Sequence, residues 1–375
     1  MDSNSIIILS GTIPWVLFMA YLFVVMNSDI TENRKIRNLY VFTFVFMSLR
    51  YGIGYDYYSY KSIIEGRTMD YMLEEMNIIP KFIALTFGKL HYQLFFVVTS
   101  FVILYPLYWV IERLSPYPSM SFMVFLLYPS FFLDGLSTIR NSMAFSLVVV
   151  MVYFLWKDKL LKSFLFYLLA VGCHTSSLMA ILIYPVFFFL EKKKVNVVIY
   201  AVSFALSIVI LPLITMIVGD NSLFSKVLFY INNQDVYKGG GMMSILINMI
   251  GIFNLFYWKR IAEYSDLNKK LLPLVNVGVC MWNVFISISP VFATRLSGFF
   301  VYMLIFLVPT YPMIFENKHK IVNERTISMV CSILFVFIFV MQYVNYVNSG
   351  VHMSNLPYQL IFLHTDDFMI NDYGL

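Results

Sequence analysis

Charge is scarce in this sequence. Asp, Glu, Lys and Arg make up 13% of its 375 residues, about half the share of a soluble domain. Sixty per cent is hydrophobic and the mean hydropathy is +0.77. Water could not hold that much apolar surface, and the runs are long enough to cross a bilayer as helices. Cysteine is scarce too. Cys173, Cys280 and Cys331 each lie in an apolar run with no paired spacing, which leaves no disulfide framework and no zinc site. The nucleotide-type glycine-rich loop, H-E-x-x-H and G-x-S-x-G are all missing, and with them the chemistries they serve. There is no internal repeat and no soluble domain, so residues 1–375 read as one integral membrane domain. The net charge of +5 does not indicate nucleic acid, because the basic residues cluster in loops between apolar runs.

The apolar runs predict an all-α, polytopic membrane protein with about twelve transmembrane helices. Ile6 to Met26 is the first, read as retained because no small-residue cleavage site follows it. The basic cluster Arg34, Lys35 and Arg37 then sits inside by the positive-inside rule, and Leu39 to Ile53 returns outward. Asn77 to Leu90 is too short to cross and reads as interfacial or re-entrant. Gln93 to Ile111 comes next, then a hairpin of Phe122 to Leu133 and Thr138 to Trp156 with the outer tip DGLSTIRN. Ser163 to Leu190 is basic at both ends and broken by GCHTSS, which argues for two half-spans. Further spans are Val195 to Val218, Met242 to Trp258, Leu271 to Ser287, Leu296 to Phe315 and Ile327 to Tyr346, with ISPVFATRL as another outer tip. Outer segments fall at 50–76, 219–241 and 347–375. This topology puts seventeen of the 26 Lys and Arg inside.

The stretch Arg50 to Tyr60, RYGIGYDYYSY, is the one around which the rest is organised. Gly52 and Gly54 permit a sharp turn, and Arg50 lies in the last turn of an apolar run, where an isolated charge is costly. Asp56, six residues on, is near enough to share its site. Three arginines, Arg50, Arg140 and Arg295, stand at outer span ends where the positive-inside rule would not put them. Guanidinium groups bind phosphates and carboxylates bidentately, so three together suit a pyrophosphate or an acidic sugar. The plain reading of any one is a snorkelling side chain on lipid headgroups. His174 occupies the helix break beside Thr175, Ser176 and Ser177, which could simply cap the next half-helix. Asp56 is either a general base or arginine partner, or a turn residue capping its own backbone. Asp134, in a DG pair, reads as ordinary turn chemistry.

In order along the chain, these residues resemble a known set. R-x-G-x-G-x-D-x-x-x-Y (Arg50, Gly52, Gly54, Asp56, Tyr60) is followed by I-R-N-x-x-A (Ile139, Arg140, Asn141, Ala144) and H-x-S (His174, Ser176). Arg295 with Tyr302, and L-P-Y at Leu356 to Tyr358, complete it. The pattern is similar to the EpsG-like family of Wzy polysaccharide polymerases over nearly the whole chain. Asn141 departs from it, since many relatives carry glutamine there. The resemblance implies a GT-C-like architecture and a lipid-linked glycosyltransferase in the bacterial cytoplasmic membrane, its active site facing the periplasm or cell exterior. Donor and acceptor would be undecaprenyl-pyrophosphate-linked glycans, and a chain-length regulator and a flippase would be partners besides the membrane lipids. It implies no metal and no other cofactor. Arg140 and Arg295 would bind pyrophosphate, with Asn141, Tyr60 and Tyr302 on the substrate. Arg50 would orient Asp56 or meet the second phosphate, and Asp56 or His174 would be the base. An O-antigen ligase, or a polysaccharide flippase or transporter, is the rival reading. A transporter should show repeat symmetry and charges near mid-membrane.

Overall fold

The computed structural model describes residues 3–54, 56–67, 71–189, 197–208, 241–286, 288–315 and 358–362. These residues are mostly helical and form two compact units. One comprises residues 1–150, 172–174 and 320–375, the other 151–171 and 175–319. Residues 219–240 of the expected outer loop at 219–241, the last span at 327–346 with Cys331, and the tail apart from 358–362 lie outside the described residues.

The first unit opens with α1 (Ser3–Asn27) and α2 (Glu32–Ser48). On α1, Trp15, Phe18, Leu22 and Val25 recur at helical spacing and are buried, while Val16, Leu17, Phe23 and Val24 are exposed. A helix apolar all round, packed on one side only, has the surface of a lipid-facing span. The basic cluster expected in a loop lies instead in the first turns of α2, which begins with Glu32. An acid there complements the helix dipole. Glu32 also accepts from Ser119 Oγ at 2.6 Å and pairs with Lys35 at 3.5 Å. α2 stops at Ser48, two residues before Arg50. Arg50 is therefore not in a helical last turn; with Tyr51 it forms the two-residue strand β1.

After β1 come α3 (Tyr57–Glu65), the short α4 (Tyr71–Glu74), and α5 (Ile78–Ile83), which runs into a π-helical turn at Ala84–Gly88. α6 (Tyr92–Leu114), α7 (Pro118–Leu127), α8 (Pro129–Ser137) and α9 (Ile139–Trp156) follow. The expected tip DGLSTIRN is not a loop. Asp134 and Gly135 lie inside α8, and Arg140 and Asn141 inside the first turn of α9. Pro129 at the start of α8 explains the break, since the residue before a proline is disfavoured in helix. Trp15, Phe46, Phe132 and Tyr358 gather into one aromatic cluster, with Phe46 stacked on Tyr358 at 4.2 Å and Trp15 edge-on to Phe46 at 5.0 Å.

α10 (Leu160–Cys173) ends where the chain was expected to break. His174 is non-helical, and a 3-10 helix, Thr175–Leu182, leads into α11 (Ile183–Phe189). Within the second unit Ser177 Oγ donates to Ala170 O at 3.0 Å, stitching across the break. The unit continues with α12 (Val197–Ile208), α13 (Gly241–Phe256), α14 (Trp258–Tyr264), α15 (Asp266–Phe285), α16 (Pro290–Val301) and α17 (Leu304–Leu307). Arg295 lies within α16 rather than in an outer tip. α15 carries three buried amides. Asn268 donates to Thr310 Oγ1 at 2.8 Å, Asn276 accepts from Asn254 at 2.9 Å, and Asn283 and Asn248 exchange two bonds of 2.8 and 2.9 Å. Such bonds join helices where neither water nor the hydrophobic effect can.

Among the described residues, α6 and α9 are long and apolar enough to cross a membrane, and up to four spans result if each bent pair is one. Those pairs bend by 58° between α7 and α8 and by 47° after α16. The chain is thus a largely helical protein with several apolar helices, as a membrane protein requires.

Candidate functional site

β1 pairs antiparallel with β2 (Gln359–Leu360), Arg50 opposite Leu360 and Tyr51 opposite Gln359. Tyr358, the last residue of L-P-Y, thus lies beside the first motif, while Leu356 and Pro357 lie outside the described residues. Tyr358 OH donates to Phe46 O at 2.6 Å, its N–H to Gly11 O at 3.0 Å, and Ile361 N–H to Leu49 O at 2.9 Å. The hydroxyl closes off a carbonyl near the end of α2, so Tyr358→Phe is expected to cost about 1 kcal/mol. The thermal unfolding midpoint of detergent-purified protein would register it, with the ring stack kept.

Gly52 and Gly54 follow β1 with φ of 67° and 99°, angles that a side chain resists. Gly54 also lies flat against the end of α8. A Cβ built on it would come within 2.8 Å of Leu136 C and 3.0 Å of Ser137 Cα, with the Leu136 carbonyl oxygen closer still. The first motif therefore rests on the backbone that leads directly into Ile139, Arg140 and Asn141.

Arg50 is fully buried. Its guanidinium donates to Met47 O and, at 3.4 Å, to Ser100 Oγ, and lies over the Phe96 ring at 5.1 Å. Its Nε has no hydrogen-bond partner among the described residues. The guanidinium folds inward onto its own loop, so here Arg50 braces the motif. Gln93, in the first turn of α6, does the same from the other side. Its amide donates to Ser48 O and, at 3.1 Å, to Arg50 O, and accepts from Tyr57 OH at 3.3 Å. Burial pushes the Tyr57 phenol above its ordinary value, keeping it a neutral donor. Gln93 was missed in the sequence, where it reads as the polar start of a span. Gln93→Leu strands two carbonyls and a hydroxyl, and is expected to cost about 1–3 kcal/mol. Chemical denaturation in detergent would measure it.

Asp56 stands at the N-cap position of α3, and its carboxylate makes no capping bond to that helix. Tyr60 is buried against Phe95, ring centres 5.1 Å apart. One turn from Tyr57, Lys61 Nζ donates to Tyr51 OH at 3.2 Å and lies over the rings of Tyr51 and Tyr92 at 5.0 and 4.8 Å. That cation–π cage fixes α3 on β1 and α6.

Arg140 is half-buried in the first turn of α9, and no carboxylate pairs with it among the described residues. Asn141 beside it is buried. His174 is half-buried at the helix break, and Gly172 just before it packs on Ile79 of α5, where a Cβ would meet Cδ1 at 3.1 Å. Arg50, Asp56, Tyr60, Arg140, Asn141 and His174 thus belong to the first unit, whereas Arg295 and Tyr302 belong to the second. In that unit Arg295 is half-buried on α16 and Tyr302 is buried at its C-cap. Ser289 Oγ accepts from Phe292 N–H at 3.0 Å and caps the start of α16. Among the described residues no three His, Cys, Asp or Glu side chains gather closely enough to hold a metal ion.

A family model described as the EpsG family matches residues 33–360. The chain belongs to the EpsG family. No curated protein and no solved structure matches it. The EpsG match begins in the first turn of α2 and ends on Leu360, the last residue of β2. Both partners of the strand pair therefore lie within the family region. Membership points to a role in polysaccharide polymerisation, and with the apolar helices it makes this a membrane protein.

Proposed function

We propose that the chain is a lipid-linked glycosyltransferase that polymerises undecaprenyl-pyrophosphate-linked repeat units into O-antigen or a related surface polysaccharide. It would work at the outer face of the cytoplasmic membrane, with the GT-C-like architecture that the family resemblance implies. The observation that carries this reading is the seat of Gly54 on Leu136 and Ser137. It ties the loop bearing Asp56 to the entrance of the helix bearing Arg140.

In the proposed step, an acceptor hydroxyl of one repeat unit attacks the anomeric carbon of the donor glycan. The new glycosidic bond forms as the anomeric carbon–oxygen bond to pyrophosphate breaks. Negative charge grows on the leaving pyrophosphate, where fixed guanidinium groups are worth most. Arg140 and Arg295 bind its oxygens. Asp56 or His174 takes the proton of the acceptor hydroxyl. Arg50 acts from within by holding the loop that presents Asp56, and Asn141, Tyr60 and Tyr302 shape the surroundings of the sugar.

The test is the length of surface glycan in a deletion strain. We expect loss of the polymer ladder with single repeat units still attached, and its return with the wild-type gene. A strain with no repeat units at all would instead indicate a flippase or ligase and end the polymerase reading.

A further inference from the structure

In the first unit α2 and α6 run antiparallel. Gln93 at the start of α6 reaches Ser48 at the end of α2, while Tyr40 of α2 stacks on Tyr108 of α6 at 4.7 Å. At about 1.5 Å per residue, α6 carries Arg113 roughly 30 Å from Gln93. Arg113 thus marks the end of the pair remote from the first motif. A seam of rings runs along the two helices. Phe44 lies edge-on to Phe101 at 6.4 Å, Phe101 stacks on Tyr105 at 4.9 Å, and Tyr105 is edge-on to Tyr40 at 6.4 Å. Phe101 and Tyr105 are exposed, as are Val41 and Val45 on α2. In a membrane protein such a surface meets lipid.

The seam changes character along its length. Phe44 and Phe101 present hydrocarbon alone, and Tyr40 and Tyr105 add hydroxyls that bond to no protein group among the described residues. Guanidinium groups then close it. Arg34 and Arg37, three residues apart on α2, are exposed and pair with no carboxylate among the described residues. Arg113 lies over the Trp109 ring at 4.4 Å and donates to Trp109 O at 3.0 Å and to Glu112 Oε2 at 3.2 Å. Glu112 also accepts from Tyr108 OH at 3.3 Å, and Glu32, the acid on α2, is taken by Lys35 and Ser119. The arginines therefore outnumber the acids at this end. A phospholipid has the same order of groups: acyl chains, ester carbonyls that accept hydrogen bonds, then a phosphate. Guanidinium grips phosphate bidentately, and tyrosine suits the depth between. The ammonium of a zwitterionic headgroup would meet like charge here, whereas an anionic headgroup would not. A polyprenyl pyrophosphate on Arg140, beyond the Gly54 contact, would sit at the other end of these helices.

We propose that the α2–α6 seam binds one anionic phospholipid, its phosphate on Arg37 and Arg113 and its ester carbonyls accepting from the Tyr40 and Tyr105 hydroxyls. The site is separate from the residues assigned to glycan transfer and does not rest on that assignment. Its occupant is a bound lipid rather than the substrate.

Native mass spectrometry of the detergent-purified full chain, titrated with dioleoyl phosphatidylglycerol or dioleoyl phosphatidylethanolamine, tests this. Wild type is expected to retain one phosphatidylglycerol through delipidation and to prefer it about tenfold. Arg37→Ala and Arg113→Ala should each weaken phosphatidylglycerol about fivefold, the loss of one cation beside an anionic headgroup. Tyr105→Phe removes a hydroxyl without a protein partner and should weaken both lipids about fivefold. Arg67→Ala, at an exposed arginine just beyond α3, should leave both affinities unchanged. Equal affinity of wild type for the two lipids overturns the anionic preference. Unchanged binding in Arg37→Ala and Arg113→Ala, or an equal loss in Arg67→Ala, overturns the site, and unchanged binding in Tyr105→Phe overturns the carbonyl contact. Displacement of phosphatidylglycerol by equimolar undecaprenyl pyrophosphate overturns the phospholipid and assigns the seam to a polyprenyl chain.

Discussion

Gly54→Ala is expected to abolish the polymer ladder and to destabilise the protein by about 2–5 kcal/mol. Two costs combine. At φ 99° a side chain occupies left-handed backbone, at about 1–2 kcal/mol. The methyl group would also be driven into backbone atoms of Leu136 and Ser137, and overpacking of that kind costs about 1–3 kcal/mol. Backbone cannot swing aside as a long side chain would, so α8 and the entry to α9 must move. The comparison is Gly66→Ala, at φ 71° with nothing within 4 Å of the added carbon. It bears the conformational cost alone, about 1–2 kcal/mol, and should leave the ladder intact. Thermal unfolding of both variants in detergent, beside glycan gels, separates the two effects. Equal losses in the two would mean that the contact with α8 contributes nothing.

Arg140→Ala should reduce polymerisation by about 10²–10³-fold, the usual loss when a fixed donor to developing oxyanion charge is removed. Arg140 is half-buried and unpaired with any carboxylate among the described residues, so its removal leaves no orphaned partner. The unfolding midpoint is expected to stay put, since substitutions away from such networks fall within about 0.5 kcal/mol. Arg140→Lys should recover only part of the rate, because an ammonium keeps the charge but not the bidentate fork. Single-turnover transfer of a lipid-linked repeat unit, measured with purified protein, is the suitable readout. An Arg140→Ala enzyme as fast as wild type would remove the residue from the site.

Membrane character was legible from hydropathy alone, because hydrocarbon solvent imposes long apolar runs with few charges. The breaks at His174 and at Gly52 to Gly54 were legible too, since a polar or glycine interruption of an apolar run has few other readings. What the sequence obscured was the use of polar residues at helix ends. Arg34, Lys35 and Arg37 read as a loop but form the start of α2, where the acid that precedes them favours helix. Arg295 read as a tip residue but lies in α16, because Ser289 and Pro290 start a helix at once. Arg50 read as a partner of Asp56 or of a phosphate, and only the tertiary fold shows its inward turn onto Met47 and Ser100. Gln93 carried no signal of its own. A single amide at the head of a span becomes a splint only when β1 is laid across it.

The strand pair has a consequence for biosynthesis. Phe46 and Tyr358 touch across 312 positions of chain, so the first motif is made long before the segment that completes it. While the ribosome is still adding residues, β1 has no partner and the end of α2 keeps an open carbonyl. The strand pair can therefore take its final form only after residue 360 has left the exit tunnel. A message truncated before that point would yield a chain carrying Arg50, Arg140 and Arg295 and still unable to pair β1. Closure of the first loop thus waits on synthesis as far as β2.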